Sequence, residues 1–138
     1  MAKLRHVAVI CDDVEWATKF YSEVFGLTEA GRHGNELTEV VDLTDGVVNV
    51  ALYKPLLPSH PDIEEPVGMN HIGFVVDDVE EAVARAEALG CVVTEDPRET
   101  PDQSCKEIWG MRLRAPDGTA FDFSWKGWVG QSQPSRRD

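Results

Sequence analysis

The sequence predicts an α+β fold: two βαβββ modules in tandem, forming a curved mixed sheet around a central pocket. The first observation behind this is an internal repeat. Residues 5–26, RHVAVICDDVEWATKFYSEVFG, align without gaps to residues 70–91 when His6 is set against His71. Asp12, Asp13, Val14, Glu15 and Ala17 then face Asp77, Asp78, Val79, Glu80 and Ala82. Self-similarity at a fixed offset sets the architecture before any single residue is interpreted. The second observation is the order of periodicities within each copy, one alternating segment, one helical segment, then further alternating segments. The third is an asymmetry of strand faces, described below.

Leu4–Cys11 alternates, with His6, Ala8 and Ile10 on one side and Val7, Val9 and Cys11 on the other. Asp12 is the expected helix N-cap, with Glu15 completing a capping box. Val14, Ala17, Tyr21 and Val24 recur at helical spacing, and Gly26 stops the helix. Leu27–Ala30 begins a second strand, Gly31–Asn35 is a turn, and Glu36–Leu43 is a third strand. Thr44-Asp45-Gly46 is a hairpin signal leading into a fourth strand, Val47–Tyr53. Lys54–Val67 carries four of the eight prolines and is expected to link the modules. The second module then gives strand Asn70–Val76, helix Val79–Leu89 capped by Asp77 or Asp78, and strand Cys91–Thr94. A polar loop Asp96–Ser104, strand Cys105–Arg114, a turn at Pro116-Asp117-Gly118 and strand Thr119–Trp125 complete it.

The chain has 138 residues, and one domain is expected over residues 1–130: module 4–55, linker 54–67, module 68–128. Residues 131–138 form a polar tail expected to be disordered. Thirteen basic and 25 acidic side chains give a net charge of −12, which argues against a nucleic-acid or anionic-membrane partner. Cys11, Cys91 and Cys105 are odd in number and lack a CxxC spacing. With no leader-like or membrane-length apolar run, this fits a reducing, cytoplasmic setting.

The strand faces point to a site. His71, Gly73 and Val75 share one face of their strand, opposite Ile72, Phe74 and Val76. Ala120, Asp122 and Ser124 lie opposite Phe121, Phe123 and Trp125; Asn49 and Ala51 lie opposite Val50 and Leu52. The bulky rows suit packing under the helices, and the small or polar rows suit a pocket wall. Alone, a strand-leading histidine is an ordinary structural residue. Two in register across a repeat, His6 and His71, joined by Asp122, have the composition of a divalent transition-metal site. The expected ion is Fe, Mn, Ni, Co or Zn. His33 and His60 are expected in solvated loops, and Tyr53 and Glu107 in structural roles. Trp16 and Trp125 are expected to pack, with Trp109 and Trp128 as pocket or lid candidates.

Paired βαβββ modules, the strand-leading His6 and His71, the helix end FYSEVFGL and the ending PDGTAFDFSW resemble the vicinal oxygen chelate superfamily. That group includes glyoxalase I, methylmalonyl-CoA epimerase, extradiol dioxygenases and the fosfomycin and bleomycin resistance proteins. The resemblance spans about residues 4–128. It implies metal ligands at His6, His71 and Asp122, the last replacing the family's usual glutamate. The matching first-module position falls on Asn49 or Ala51, neither of them the usual carboxylate or its amide glutamine. The resemblance implies a metal-dependent lyase, isomerase or dioxygenase acting on a small oxygenated substrate chelated through neighbouring oxygens. The alternative is a metal-free antibiotic-binding protein of the bleomycin-resistance type, which the acidity and tryptophans would suit. No residue is identified as the catalytic base. A homodimer is expected on the resemblance alone.

Overall fold

The computed structural model describes residues 2–56, 66–96, 99 and 110–130. Among these, the elements follow the expected order: β1 (Lys3–Ile10), α1 (Val14–Phe25), β2 (Thr28–Gly34), β3 (Thr38–Thr44), β4 (Asn49–Pro55), β5 (Gly68–Val75), α2 (Val79–Ala88), β6 (Val92–Glu95), β7 (Gly110–Arg114) and β8 (Ala120–Ser124). The fold is α+β, with two βαβββ modules. By contact density the chain divides into two compact units. Of the described residues, one holds those between 6 and 70 with Val129 and Gly130, and the other holds those between 71 and 128 with residues 2–5.

In the unit of residues 6–70 the strands run in the order β2-β3-β4-β1. The first and last strands of the module are parallel, β1 against β4, and the remaining pairs are antiparallel. Val14 and Ala17 of α1 pack on Val41, Leu43 and Leu52, with Cys11 closing the cluster. The alternation of β4 places Val50 and Leu52 against this helix, as the bulky row requires.

Three local expectations are corrected here. The N-cap of α1 is Asp13, not Asp12: its backbone is extended (φ −129°, ψ 102°), and its carboxylate accepts from Trp16 N at 3.0 Å. Glu15 is therefore the second helical residue, and the capping box with Asp12 does not form. Strand β2 continues through the expected turn Gly31–Asn35 as far as Gly34. The reversal comes later because Asn35 Oδ1 accepts from the Leu37 and Thr38 amides at 2.8 and 3.1 Å, building the turn itself. Only glycine fits at position 34, where a Cβ would meet Thr38 O at 2.4 Å. Strand β4 starts at Asn49, because Asp45 Oδ1 accepts from both the Val47 and Val48 amides and holds them in the turn.

In the unit of residues 71–128 the order is β5-β8-β7-β6, with β5 and β8 parallel. This is the topology of the other unit in the same chain order. Of the two capping candidates, Asp78 is the N-cap of α2, accepting from Glu81 N at 3.0 Å. The helix packs through Val79, Ala82, Val83 and Ala86 on Phe74, Met111, Leu113, Phe121 and Phe123. Residues 57–65, the expected strand start Cys105–Trp109 with Glu107, and the tail 131–138 lie outside the described residues, as does His60. No helix among the described residues is long and apolar enough to cross a membrane.

Candidate functional site

The small-residue rows of the parallel strand pairs are buried. His6 is 1% exposed, His71 5% and Asp122 6%. A buried imidazole or carboxylate must find hydrogen-bond partners, and in each unit those partners fix what the side chain offers.

In the first-module unit, His6 Nδ1 lies 2.6 Å from Asn49 Oδ1. The amide orientation is set by two acceptors at its other end: Asn49 Nδ2 donates to Asp42 Oδ1 at 2.9 Å and to Val129 O at 2.7 Å. An NH2 group must face those acceptors, so an oxygen faces His6. Nδ1 of His6 therefore carries a proton, and in the neutral ring Nε2 is the acceptor nitrogen. Behind this pair, His33 Nε2 lies 2.9 Å from Asp42 Oδ2 without an aligned hydrogen bond. His33 is thus not in a solvated loop: β2 carries it to the buried Asp42, where it keeps a partly exposed ring beside the carboxylate.

In the other unit, Arg112 joins the two expected ligands. Its Nε donates to Asp122 Oδ1 at 2.8 Å and its Nη2 to Asp122 Oδ2 at 3.1 Å. Nη2 also lies 2.9 Å from His71 Nε2. A guanidinium can only donate, so His71 Nε2 accepts and the ring is neutral with its proton on Nδ1. His71 Nε2 and Asp122 Oδ2 are then two lone-pair atoms only 3.3 Å apart, held together by a shared cation. Neighbouring donor atoms on a small divalent ion stand at a similar spacing, roughly 3.0–3.4 Å, given metal–ligand bonds of about 2.0–2.2 Å. The donor set therefore fits such an ion in kind, with neutral imidazoles offering Nε2 and an ionised carboxylate beside one of them.

Strand register settles the first-module counterpart of Asp122. In one unit Gly73 pairs with Asp122; in the other Ala8, the counterpart of Gly73, pairs with Ala51. Ala51 therefore matches Asp122, and Asn49 matches Ala120. One strand further out, Asp42 pairs with Ala51, and Arg112 with Asp122. The first half has alanine at this position and an acid, Asp42, on the neighbouring strand, where it orients Asn49. The second has the acid at the position itself, with an arginine set against it.

Sequence reasoning missed Arg112, Asp42 and the role of Asn49. A signal was present for two of them. Asp42 is the one charge within VVDLT, and Arg112 alternates with Met111 and Leu113 directly across the Pro116–Gly118 hairpin from Asp122. Trp16, expected to pack, is 63% exposed, whereas Trp128 is buried. Trp109 lies outside the described residues. Cys11 is buried, and burial with Asp12 and Asp13 nearby pushes its thiol pKa up, so it serves as a small hydrophobe.

Comparison with known proteins agrees with this architecture. The chain is 28% identical over 92 residues to the uncharacterized protein YaeR of Escherichia coli K12, covering 64% of this chain and 71% of that one. A hypothetical protein from Bacillus halodurans C-125 superposes with a TM-score of 0.72 at 19% identity, covering 88% of this chain and 92% of the other. A Streptomyces coelicolor methylmalonyl-CoA epimerase variant in complex with 2-nitronate-propionyl-CoA gives 0.65 at 19% identity, covering 88% and 96%. At these identities the two structures share the fold. The sequence model of the Glyoxalase/Bleomycin resistance protein/Dioxygenase superfamily matches residues 3–123, nearly the whole chain, and the protein belongs to that superfamily.

Proposed function

We propose that this protein is a divalent-metal-dependent enzyme, with His6, His71 and Asp122 as the protein ligands and a small oxygenated substrate chelated through neighbouring oxygens. The observation that carries the proposal is the tautomer of the two histidines. Asn49 keeps a proton on Nδ1 of His6 and Arg112 donates to Nε2 of His71, so that in the neutral rings the lone pair is on Nε2, the form in which imidazole binds a metal. Their equivalent places at the head of parallel strand pairs, and the superfamily itself, support a shared role. When bound, the ion would act as a Lewis acid toward the substrate oxygens or, as iron, support dioxygen chemistry. The chain's own part is to hold three donors and leave the remaining positions to substrate.

Ala51 bears on the reaction type. A proton shuttle between two carboxylates, one from each half, has no first-half member here, because Asp42 stands one strand away and is engaged with Asn49. This favours chemistry needing the metal and at most one protein base over two-base epimerisation. The substrate is proposed to be a small molecule, the protein to act in the cytoplasm, and the assembly to be a homodimer.

A second proposal is favoured by one observation. Arg112 already supplies a positive charge to Asp122 and His71, which suits a metal-free protein that binds its ligand without chemistry. Metal analysis after loading with Fe(II), Mn, Co, Ni or Zn separates the two. The enzyme proposal expects about one equivalent, lost in His6→Ala and His71→Ala. Absence of bound metal under every loading condition would overturn it in favour of the second. A substrate screen should then cover catechols, α-oxoaldehyde thiol adducts and acyl-CoA esters.

A further inference from the structure

The Arg112 guanidinium makes three contacts to two of the proposed ligands, and this has a consequence for how the ion enters. Both oxygens of Asp122 accept from it, and Nε2 of His71 accepts from it as well. Nε2 of His71 is the atom a metal would need, and a carboxylate clamped on both oxygens has lost its freedom to turn toward an ion. The guanidinium also has somewhere to go. Its Nη1 already lies 3.9 Å from Glu95 Oε1 on β6, and Glu95 is partly exposed. Arg112 itself is about one-quarter exposed, so part of its side chain already faces solvent on the way to Glu95.

We propose that Arg112 is a built-in competitor for the metal: it neutralises Asp122 and holds His71 while the ion is absent, and must swing toward Glu95 for the ion to bind. This rests on the metal proposal above and deepens it. Its first consequence is on affinity. If Asp122 and His71 are free of the arginine in only one molecule in ten to one in a hundred, the apparent dissociation constant for metal is raised roughly ten- to a hundredfold. Its second consequence concerns substrate. With the guanidinium on Glu95 and Asp122 on the ion, the two carboxylates leave one net positive charge at the site. A substrate bearing a carboxylate or similar anion next to its chelating oxygens would answer that charge. Metal and anionic substrate would then raise each other's affinity by the same factor, since linkage is reciprocal.

The test compares Ni(II) and Mn(II) binding to the wild-type protein, Arg112→Gln and Arg112→Lys by isothermal titration calorimetry, with circular dichroism confirming the fold. Arg112→Gln is expected to bind roughly ten- to a hundredfold tighter than wild type. Arg112→Lys should fall between, because an ammonium cannot make the forked contact to both oxygens. In wild-type protein the Arg112 Nε–H should lose its protection from solvent exchange on loading with diamagnetic Zn(II), whereas an arginine that stays on Asp122 would keep that protection. Equal or weaker binding by Arg112→Gln, with wild type still loading, overturns the inference and leaves the metal proposal standing. Binding by Arg112→Gln alone supports the inference. Binding by neither protein removes the metal proposal, and the inference falls with it. If Arg112→Gln does not fold, the comparison rests on Arg112→Lys, where affinity no tighter than wild type overturns the inference.

Discussion

At the scale of single residues, the informative groups are those that tell a histidine which nitrogen to present. Asn49 does so for His6, and its own orientation is dictated by Asp42 and the Val129 carbonyl. Replacing Asn49 with Leu removes the acceptor for Nδ1–H and frees the ring to adopt the other tautomer. With His6 as the proposed ligand, metal affinity is expected to fall roughly 10- to 100-fold, the loss typical when the hydrogen-bond partner of a metal-binding histidine is removed. Calorimetry on the variant checks this, and unchanged affinity would show that Asn49 serves only the structural hydrogen bonds to Asp42 and Val129. Asp122→Asn keeps the shape but removes the charge that Arg112 neutralises. It should abolish metal uptake in a dialysis assay while leaving the far-ultraviolet circular dichroism of the protein unchanged.

At the scale of elements, each helix hangs on one aspartate and a few apolar contacts. Asp13→Ala and Asp78→Ala each remove the side-chain N-cap of their helix, and each should cost about 1 kcal/mol in urea unfolding. Asp12→Ala, one residue away, should cost much less, since Asp12 does not cap. Gly26 closes α1 at φ 72°, and Gly26→Ala is expected to cost about 1 kcal/mol from the strained backbone alone. The cores are more demanding. Leu52 and Leu113 are each fully buried, one under each helix. Truncation of either to Ala should cost about 2–5 kcal/mol, and a loss of under about 0.5 kcal/mol in urea unfolding would contradict the packing described.

At the scale of the whole molecule, charge sets the response to pH. Hydrogen bonding from Arg32 lowers the Glu15 pKa below its ordinary 4.5, and the Thr119 amide lowers that of Asp117 below 3.8. A carboxylate whose native value is depressed adds stability that is fully present above its unfolded pKa. That stability is lost as pH falls through the native value. The protein should therefore weaken below about pH 4.5, and Glu15→Gln should flatten the upper part of that fall. The Glu15 part should shrink at high salt because the pair is exposed. The Asp117 part should not, since its partner is chiefly a backbone amide. Urea midpoints from pH 3 to 7 at two salt concentrations check both expectations. The net charge of −12 predicts no retention on nucleic acid at physiological salt, which a filter-binding assay checks.

The duplication, the helix positions and the packing rows were legible in the sequence, because they rest on local periodicity and on residues that repeat at a constant offset. His6, His71 and Asp122 stood out for the same reason, since strand alternation alone puts them on the row away from the bulky side chains. The sequence left Asn49 and Ala51 undecided, because one residue of register exchanges faces and two residues exchange partners along the same face. Pairing β1 with β4 decided it, setting Ala51 opposite Ala8 and placing the nearest first-half acid, Asp42, one strand further out. Arg112 was likewise beyond local pattern. Its meaning is a contact between neighbouring strands, and only folding brings a guanidinium to the lone pairs of His71 and Asp122. Periodicity fixes which way a side chain faces; which group it meets there is set by the register between strands, a property of the assembled sheet.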